Sequence, residues 1–439
     1  MLPFDKVTAF SYPTSRSDFF LLTKRRPYVF AGGLIAFLLI FFRLISSATK
    51  DSPDFYTSKP PSSFATAWEY PRDAKKLTLS RHECDAAFPR LSTEVRRAIR
   101  DRNGNKITLE ELESIPKRNG LFVPPPLTLA QLYVLDTQGQ IYSRGIATLL
   151  DLHRAIITAP EPLPNIEFTF STDDWLPPAA QWAYARKADD RQTWLMPDFG
   201  FYSWPETKVG SYGEVQEKAI AMEDTALNPS GQAWSWDVKY PKLVWRGATM
   251  GLPLRDAFVE LTHNKTWADV TALDWHNKNS TDSDLKSMDE HCQYKFVAHT
   301  EGNSYSGRLK YLQNCRSVVV AHELDWIQHF SPLMSSSGPT QNFLQIKRDF
   351  SDMDEAMEKQ LQDDDRAKQI ADNSVKTFRE RYTTPSAEAC YWRDLIRGWS
   401  EVSFKPNAWE KDLETGLMKR RGIPVESYVL ERRLRWDPY

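Results

Sequence analysis

The chain has 439 residues, with 56 Lys and Arg against 58 Asp and Glu, 41% apolar residues and a mean hydropathy of −0.53. That apolar fraction excludes wholesale disorder, and the negative hydropathy excludes a multi-spanning membrane protein. A net charge of −2 without a local basic stripe sets nucleic-acid binding aside. The 15 Trp and 17 Tyr suit sugar faces and interfaces as well as cores. Cys84, Cys292, Cys315 and Cys390 form no CxxC pair, which argues against a zinc ribbon or a thioredoxin motif. They are buried thiols or two disulfides, and compartment decides.

Tyr28 to Phe42 is an unbroken run of apolar residues and Gly, reaching Ile45 if Arg43 snorkels. This meets the lower limit of about 17 residues for a bilayer span. Lys24, Arg25 and Arg26 precede it, so the positive-inside rule puts the amino terminus in the cytosol. A cleaved signal peptide would match the run and the small residues Ser46 and Ala48, but the segment before it is long for one. The expectation is a cytosolic tail over 1–27, a type II signal anchor over 28–45 and a Ser/Pro/Thr-rich stem over 46–75. All that follows is then luminal, in the Golgi or endoplasmic reticulum. The sequons at Asn264 and Asn279 become usable there, and the four cysteines pair by one of three connectivities.

In the first globular stretch, Leu132–Leu135 and Ile141–Ser143 alternate around a polar loop and predict a hairpin. Residues 146–158 predict a helix, and Ile166–Ser171 a strand that runs into Asp173 and Asp174. The second stretch starts near Trp236. It holds a strand at 242–245 ending in Arg246 and Gly247, a strand at 295–299, a polar loop at 300–307, a helix from Arg308 to Asn314 and a strand at 317–321. That is a β–loop–α–β unit, the element of parallel α/β sheets. Helices are expected over 351–362, from Asp363 to Arg381, and from Thr384.

Chemistry concentrates at three places. Gly302, Ser304, Ser306 and Gly307 allow close backbone approach ahead of a helix start, and Arg308 adds a cationic fork, which together describe a phosphate cradle. Arg246 and Arg255 are candidates to clamp a diphosphate from another side, although an Arg at a strand end also pairs readily with a carboxylate. Asp173 and Asp174, at a strand end, are the candidate general bases, set against an ordinary turn or cap. The histidines show no metalloprotease pattern, and no GxSxG elbow is present.

The segments 243–249 (LVWRGAT), 294–308 (YKFVAHTEGNSYSGR), 309–315 and 318–332 (VVVAHELDWIQHFSP) resemble glycosyltransferase family 90. That family holds the protein O-glucosyltransferases and the fungal capsule-associated xylosyltransferase-like proteins. The likeness covers roughly residues 125–400. Its most specific part is the ordered set of a WRG strand end, an S-x-R helix start and an aromatic-rich segment after the next strand.

The resemblance implies an α/β fold of two facing Rossmann-like lobes, the GT-B arrangement. An acceptor-side lobe over 76–235 would carry the base, a nucleotide-sugar lobe would span 236–400, and a tail over 401–439 would pack back on both. It implies an inverting transfer of xylose or glucose from UDP-xylose or UDP-glucose to a hydroxyl of a glycan or protein. By the family pattern of a base before an aromatic-Pro element, Asp174 is the base and Asp173 the alternative. Arg246, Gly247, Thr249, Arg255 and Asn303 to Arg308 (with Ser304, Ser306 and Gly307) would contact the UDP-sugar, Arg308 on the diphosphate. The implied disulfides are Cys292–Cys315 and Cys84–Cys390. No DxD motif appears on the donor side, and metal dependence stays open. The other reading is a catalytically inactive luminal glycan-binding protein of the same fold.

Overall fold

A computed structural model describes residues 67–115, 119–123, 131–137, 141–175, 180–205, 209–274 and 284–431. The expected tail and anchor and the Asn279 sequon lie outside them. Among the described residues no helix is long and apolar enough to cross a membrane. Residues 68–74, placed in the stem by composition, are docked: Trp68 Nε1 donates to the Glu380 carbonyl at 3.0 Å and Ala74 is buried.

Helix α1 (Arg81–Ala87) starts at a capping box of Ser80 and Glu83, followed by α2 (Thr93–Asp101). Strands β1 (Asn119–Val123) and β2 (Tyr133–Asp136), helix α3 (Ser143–Ile157), and strands β3 (Ile166–Phe170), β4 (Trp182–Ala183) and β5 (Trp194–Leu195) come next. With the edge strand Ile423–Pro424 they form a six-stranded sheet in the order 423–424, β2, β1, β3, β4, β5. Its junctions from the edge to β3 are antiparallel, and only β3–β4–β5 is parallel. This sheet is therefore mixed where the resemblance implied a Rossmann-like one.

The hairpin expected at 132–143 does not form. Ile141 is buried against the first turn of α3, where a Cβ on Gly145 would meet Ile141 Cγ2 at 2.3 Å. Gly145 thus admits Ile141 as a helix contact, Tyr142 becomes the N-cap residue, and β2 pairs with β1 instead.

The second sheet is built from β6 (Tyr240–Gly247), helix α4 (Pro253–Thr262), β7 (Ala268–Ala272), β8 (Tyr294–His299), helix α5 (Leu309–Leu312), β9 (Val318–His322) and β10 (Leu344–Ile346). All five strands are parallel, in the order β7-β6-β8-β9-β10. In strand-sequence terms this is 2-1-3-4-5, a doubly wound order that reverses direction between β6 and β8. The apolar runs reflect burial on both faces. Leu243, Trp245, Phe296, Ala298, Val318 and Val320 share one core with Met353, Met357 and Ile370, whereas Val244, Val297 and Val319 join the core of the first sheet.

Helices α6 (Met353–Gln362), α7 (Asp364–Thr377) and α8 (Pro385–Val402) complete the body. Thr384 caps α8 and Pro385 fills its first turn. Although late in sequence, α8 serves the first sheet: Tyr391 donates to the Leu195 carbonyl, Trp392 to Asp151 and Trp399 to the Glu167 carbonyl, at 2.8–2.9 Å. Trp182, Trp194, Trp392 and Trp399 are fully buried there, removing large apolar faces from water. Cys84 is bonded to Cys390, tying α1 to α8, and Cys292 to Cys315, bracketing β8, the following loop and α5.

Candidate active site

A cleft of about 600 Å3 opens at the carboxyl ends of β6 and β8, the point where the strand order reverses. Open α/β sheets bind ligands there because two neighbouring loops diverge and leave a crevice. Its walls bring together Asp174, Arg246, Gly247, Arg255 and every residue from Gly302 to Arg308, along with Arg144, Phe199 and Trp204 from the first part of the chain. Thr249 is not among them. Its carbonyl accepts the Leu252 amide at 3.0 Å and turns the chain into α4.

Arg308 carries the strongest signal. Its Nη1 is buried without a hydrogen-bond partner, and no carboxylate pairs with it among the described residues. Burial, with the Arg255 charge added, pushes its guanidinium down to about 9. An uncompensated buried cation is costly unless a ligand supplies the anion. The group stacks on Trp245, 5.2 Å from the ring centroid. Ser304 Oγ is likewise buried with no hydrogen-bond partner among the described residues. By contrast, α5 is a single turn, far shorter than the expected helix, so little macrodipole remains and the cationic weight falls on Arg308.

The other two arginines are engaged. Arg246 Nη2 pairs with Asp269 at 2.6 Å, Nη1 donates to the Trp245 and Asp269 carbonyls, and Nε to that of Asp284. Its fork is committed to joining β6 and β7, not turned to a diphosphate. Arg255 Nε and Nη1 donate to the carbonyls of Glu301 and Ala248 at 2.9 and 2.8 Å, tying the loops after β8 and β6. Burial lowers its pKa as well.

On the opposite wall, Asp174 lines the cleft and accepts from Arg144 Nη1 at 3.0 Å. Asp173 is exposed and is not a wall residue; its amide bonds Ser171 Oγ at 3.2 Å. Sequence reasoning missed Arg144, Asp198 and Lys310. Asp198 and Lys310 form a fully buried ion pair at 2.7 Å, and Lys310 Nζ also donates to the Gly307 carbonyl at 2.7 Å. For Arg144 a signal existed: a cation in the first turn of α3 opposes the helix dipole, and locally unfavourable choices collect at functional sites. No cluster of three or more His, Cys, Asp or Glu arranged to hold a metal occurs among the described residues. Asn264 stands exposed in the turn after α4, with φ of 60°.

The model of the family described as Glycosyl transferase family 90 matches residues 83–415. The chain is similar to an O-glucosyltransferase rumi homolog of Aedes aegypti, 23% identical over 55% of this chain and 62% of the relative. It is also similar to Protein O-glucosyltransferase 1 of Homo sapiens, 24% identical over 54% of this chain and 63% of the relative. Protein O-glucosyltransferase 2 of Danio rerio is 21% identical over 59% of this chain and 52% of the relative. These matches span less than two thirds of the relatives' own length. With the family model spanning β1 to β10 and the cleft between β6 and β8, this chain belongs to glycosyl transferase family 90.

Proposed function

We propose that the protein is a luminal inverting glycosyltransferase that moves glucose from UDP-glucose to a hydroxyl of a protein acceptor. Xylose from UDP-xylose and a glycan acceptor are the alternatives within the same chemistry. The observation that carries the reading is Arg308, a buried guanidinium with no counter-ion among the described residues, at the switch point of a parallel sheet. A diphosphate supplies the missing charge. Glucose and a protein acceptor are favoured by the names of the relatives.

In this mechanism Asp174 takes the acceptor's proton as the acceptor oxygen attacks the anomeric carbon. The bond to UDP breaks, and charge grows on the departing diphosphate, where Arg308 and the Ser304 hydroxyl stabilise it. Arg246 and Arg255 act by holding the β6 and β8 loops that form the cradle. Residues 76–235 would serve the acceptor and 236–400 the donor. The apolar run at 28–45 and its basic flank support a type II anchor in the Golgi or endoplasmic reticulum, and the two disulfides fit that oxidising lumen. Asn264 and Asn279 would be glycosylated there.

Asp174→Asn tests the base. A general base contributes about 10²–10⁴-fold, so transfer should fall by that factor while UDP affinity by calorimetry stays within a few-fold. Full activity in the variant refutes the assignment. Incubation with UDP-glucose and UDP-xylose, each with a serine-bearing domain or a mannoside, identifies donor and acceptor by mass spectrometry. Absence of UDP release with every donor would favour the inactive glycan-binding reading.

A further inference from the structure

A carboxylate on an irregular segment needs something to aim it. Asp174 lies in the stretch 171–175 after β3, which forms neither helix nor strand. Its charged partner is Arg144, whose Nη1 donates to Oδ1 at 3.0 Å, while Oδ2 makes no hydrogen bond among the described residues. Arg144 sits in the first turn of α3, a turn with no acidic residue, where the positive end of the helix dipole disfavours a cation. Something other than helix stability accounts for its place.

The guanidinium is itself held. It lies over the Phe199 ring, 5.0 Å from the centroid. The Arg144 carbonyl accepts from Thr148 Oγ1 at 2.9 Å, and that hydroxyl is 2.6 Å from the Tyr184 hydroxyl. Phe199 is fixed in turn, with Trp204 edge-on at 5.2 Å and the Asp198 carboxylate on the Gly200 amide at 2.7 Å. Asp198 is also the buried partner of Lys310, which grips the Gly307 carbonyl of the cradle loop. One buried ion pair therefore seats both the support of Arg144 and the loop that carries Arg308.

We propose that Arg144 is a positioning residue for the transfer, holding Asp174 by Oδ1 so that Oδ2 stays free and aimed to receive the acceptor's proton. The proposal rests on Asp174 being the base. The balance of the step is simple: the acceptor proton passes to Oδ2, the new glycosidic bond forms as the bond to the diphosphate breaks, and UDP leaves with the negative charge. Arg144 remains a cation throughout and exchanges no proton. Its contribution is orientational, since a carboxylate tethered at one oxygen samples fewer unproductive rotations.

Kinetics of R144Q, R144K and R144A beside D174N test this. R144Q should lose about 30- to 100-fold in kcat, with UDP affinity by calorimetry within about threefold of the parent. R144K should fall between the two, and guanidinium ion should restore part of the rate to R144A. If R144Q keeps the full kcat while D174N is inactive, the proposal is overturned and the base stands. If R144Q loses UDP affinity in step with rate, Arg144 is a donor ligand and the proposal also fails. A fully active D174N removes the base itself, and this proposal with it. Should R144Q not fold, R144K decides: reduced kcat with unchanged UDP affinity supports positioning, and parental kcat overturns it.

Discussion

The guanidinium of Arg308 occupies the space that a side chain at Gly247 would need. A Cβ there would lie 2.7 Å from Arg308 Nη2 and 2.9 Å from Trp245 Cζ2. Both neighbours are confined, Trp245 in the core and Arg308 stacked on it. Gly247→Ala should therefore displace the guanidinium from the cleft and weaken UDP binding by about tenfold, the loss of one charge-assisted contact. Calorimetric titration of UDP into the variant checks it, and unchanged affinity would mean that Arg308 does not hold the diphosphate.

Arg308 also makes UDP binding sensitive to alkaline pH. Burial and the Arg255 charge depress its guanidinium to about 9, and a bound anion favours the protonated form and raises that value. Affinity is then constant well below pH 9 and falls as pH rises past it, with proton uptake on binding from about pH 9 upward. Calorimetry in buffers of different ionisation enthalpy measures the uptake. Arg308→Gln should bind weakly at every pH and show none, and equal pH dependence in the variant would assign the effect elsewhere.

The two disulfides should separate stability from binding. Cys84–Cys390 closes a span of 306 residues, worth about 6 kcal/mol in the chain-entropy model. It joins α1 to α8, neither of which lines the cleft. Replacing this pair by Ser should lower the melting temperature and leave the UDP affinity of the folded protein unchanged. Cys292–Cys315 spans 23 residues around the cradle loop, so its removal should weaken UDP binding as well. Equal effects of both pairs on affinity would contradict this division.

Buried histidines set the acid limit of stability. Burial lowers His291 and His329 to about 3 and His322 to about 4, and His299 also falls well below its ordinary value. His322 is neutral by its contacts as well, with Nε2 accepting the Glu301 amide at 3.2 Å and Nδ1 directed to the Glu323 carbonyl at 2.7 Å. The unfolded chain takes up these protons near pH 6.5 and the folded chain does not, so this contribution is complete above that pH and is lost as pH falls. Each histidine costs about 1.4 kcal/mol per pH unit in that window. Melting temperature should be level above pH 7 and drop steeply between pH 6 and 4.5. A level melting curve down to pH 5 would refute this.

The cradle was legible because its information is local. The continuous apolar runs Leu243 to Trp245 and Phe296 to Ala298, followed by a Gly- and Ser-rich loop with Arg308, identify a parallel-sheet strand end wherever the rest of the chain goes. The same local logic failed at Ile141–Ser143, since an alternating triplet does not reveal that Gly145 will admit Ile141 against a helix.

What the sequence by itself determined, then, is the β–loop–α–β unit, the cationic residue in it, and the family likeness that implied which cysteines pair. Only the tertiary structure decided that Arg246 is consumed by Asp269 across a strand pairing while Arg308 meets no carboxylate among the described residues. It also decided that Asp174 and not Asp173 lines the cleft, and that Arg144, 30 residues earlier, meets it. Those outcomes depend on which carboxylate reaches each cation once the strands are ordered. That is a matter of distances between segments remote in sequence, to which residue type and spacing are blind.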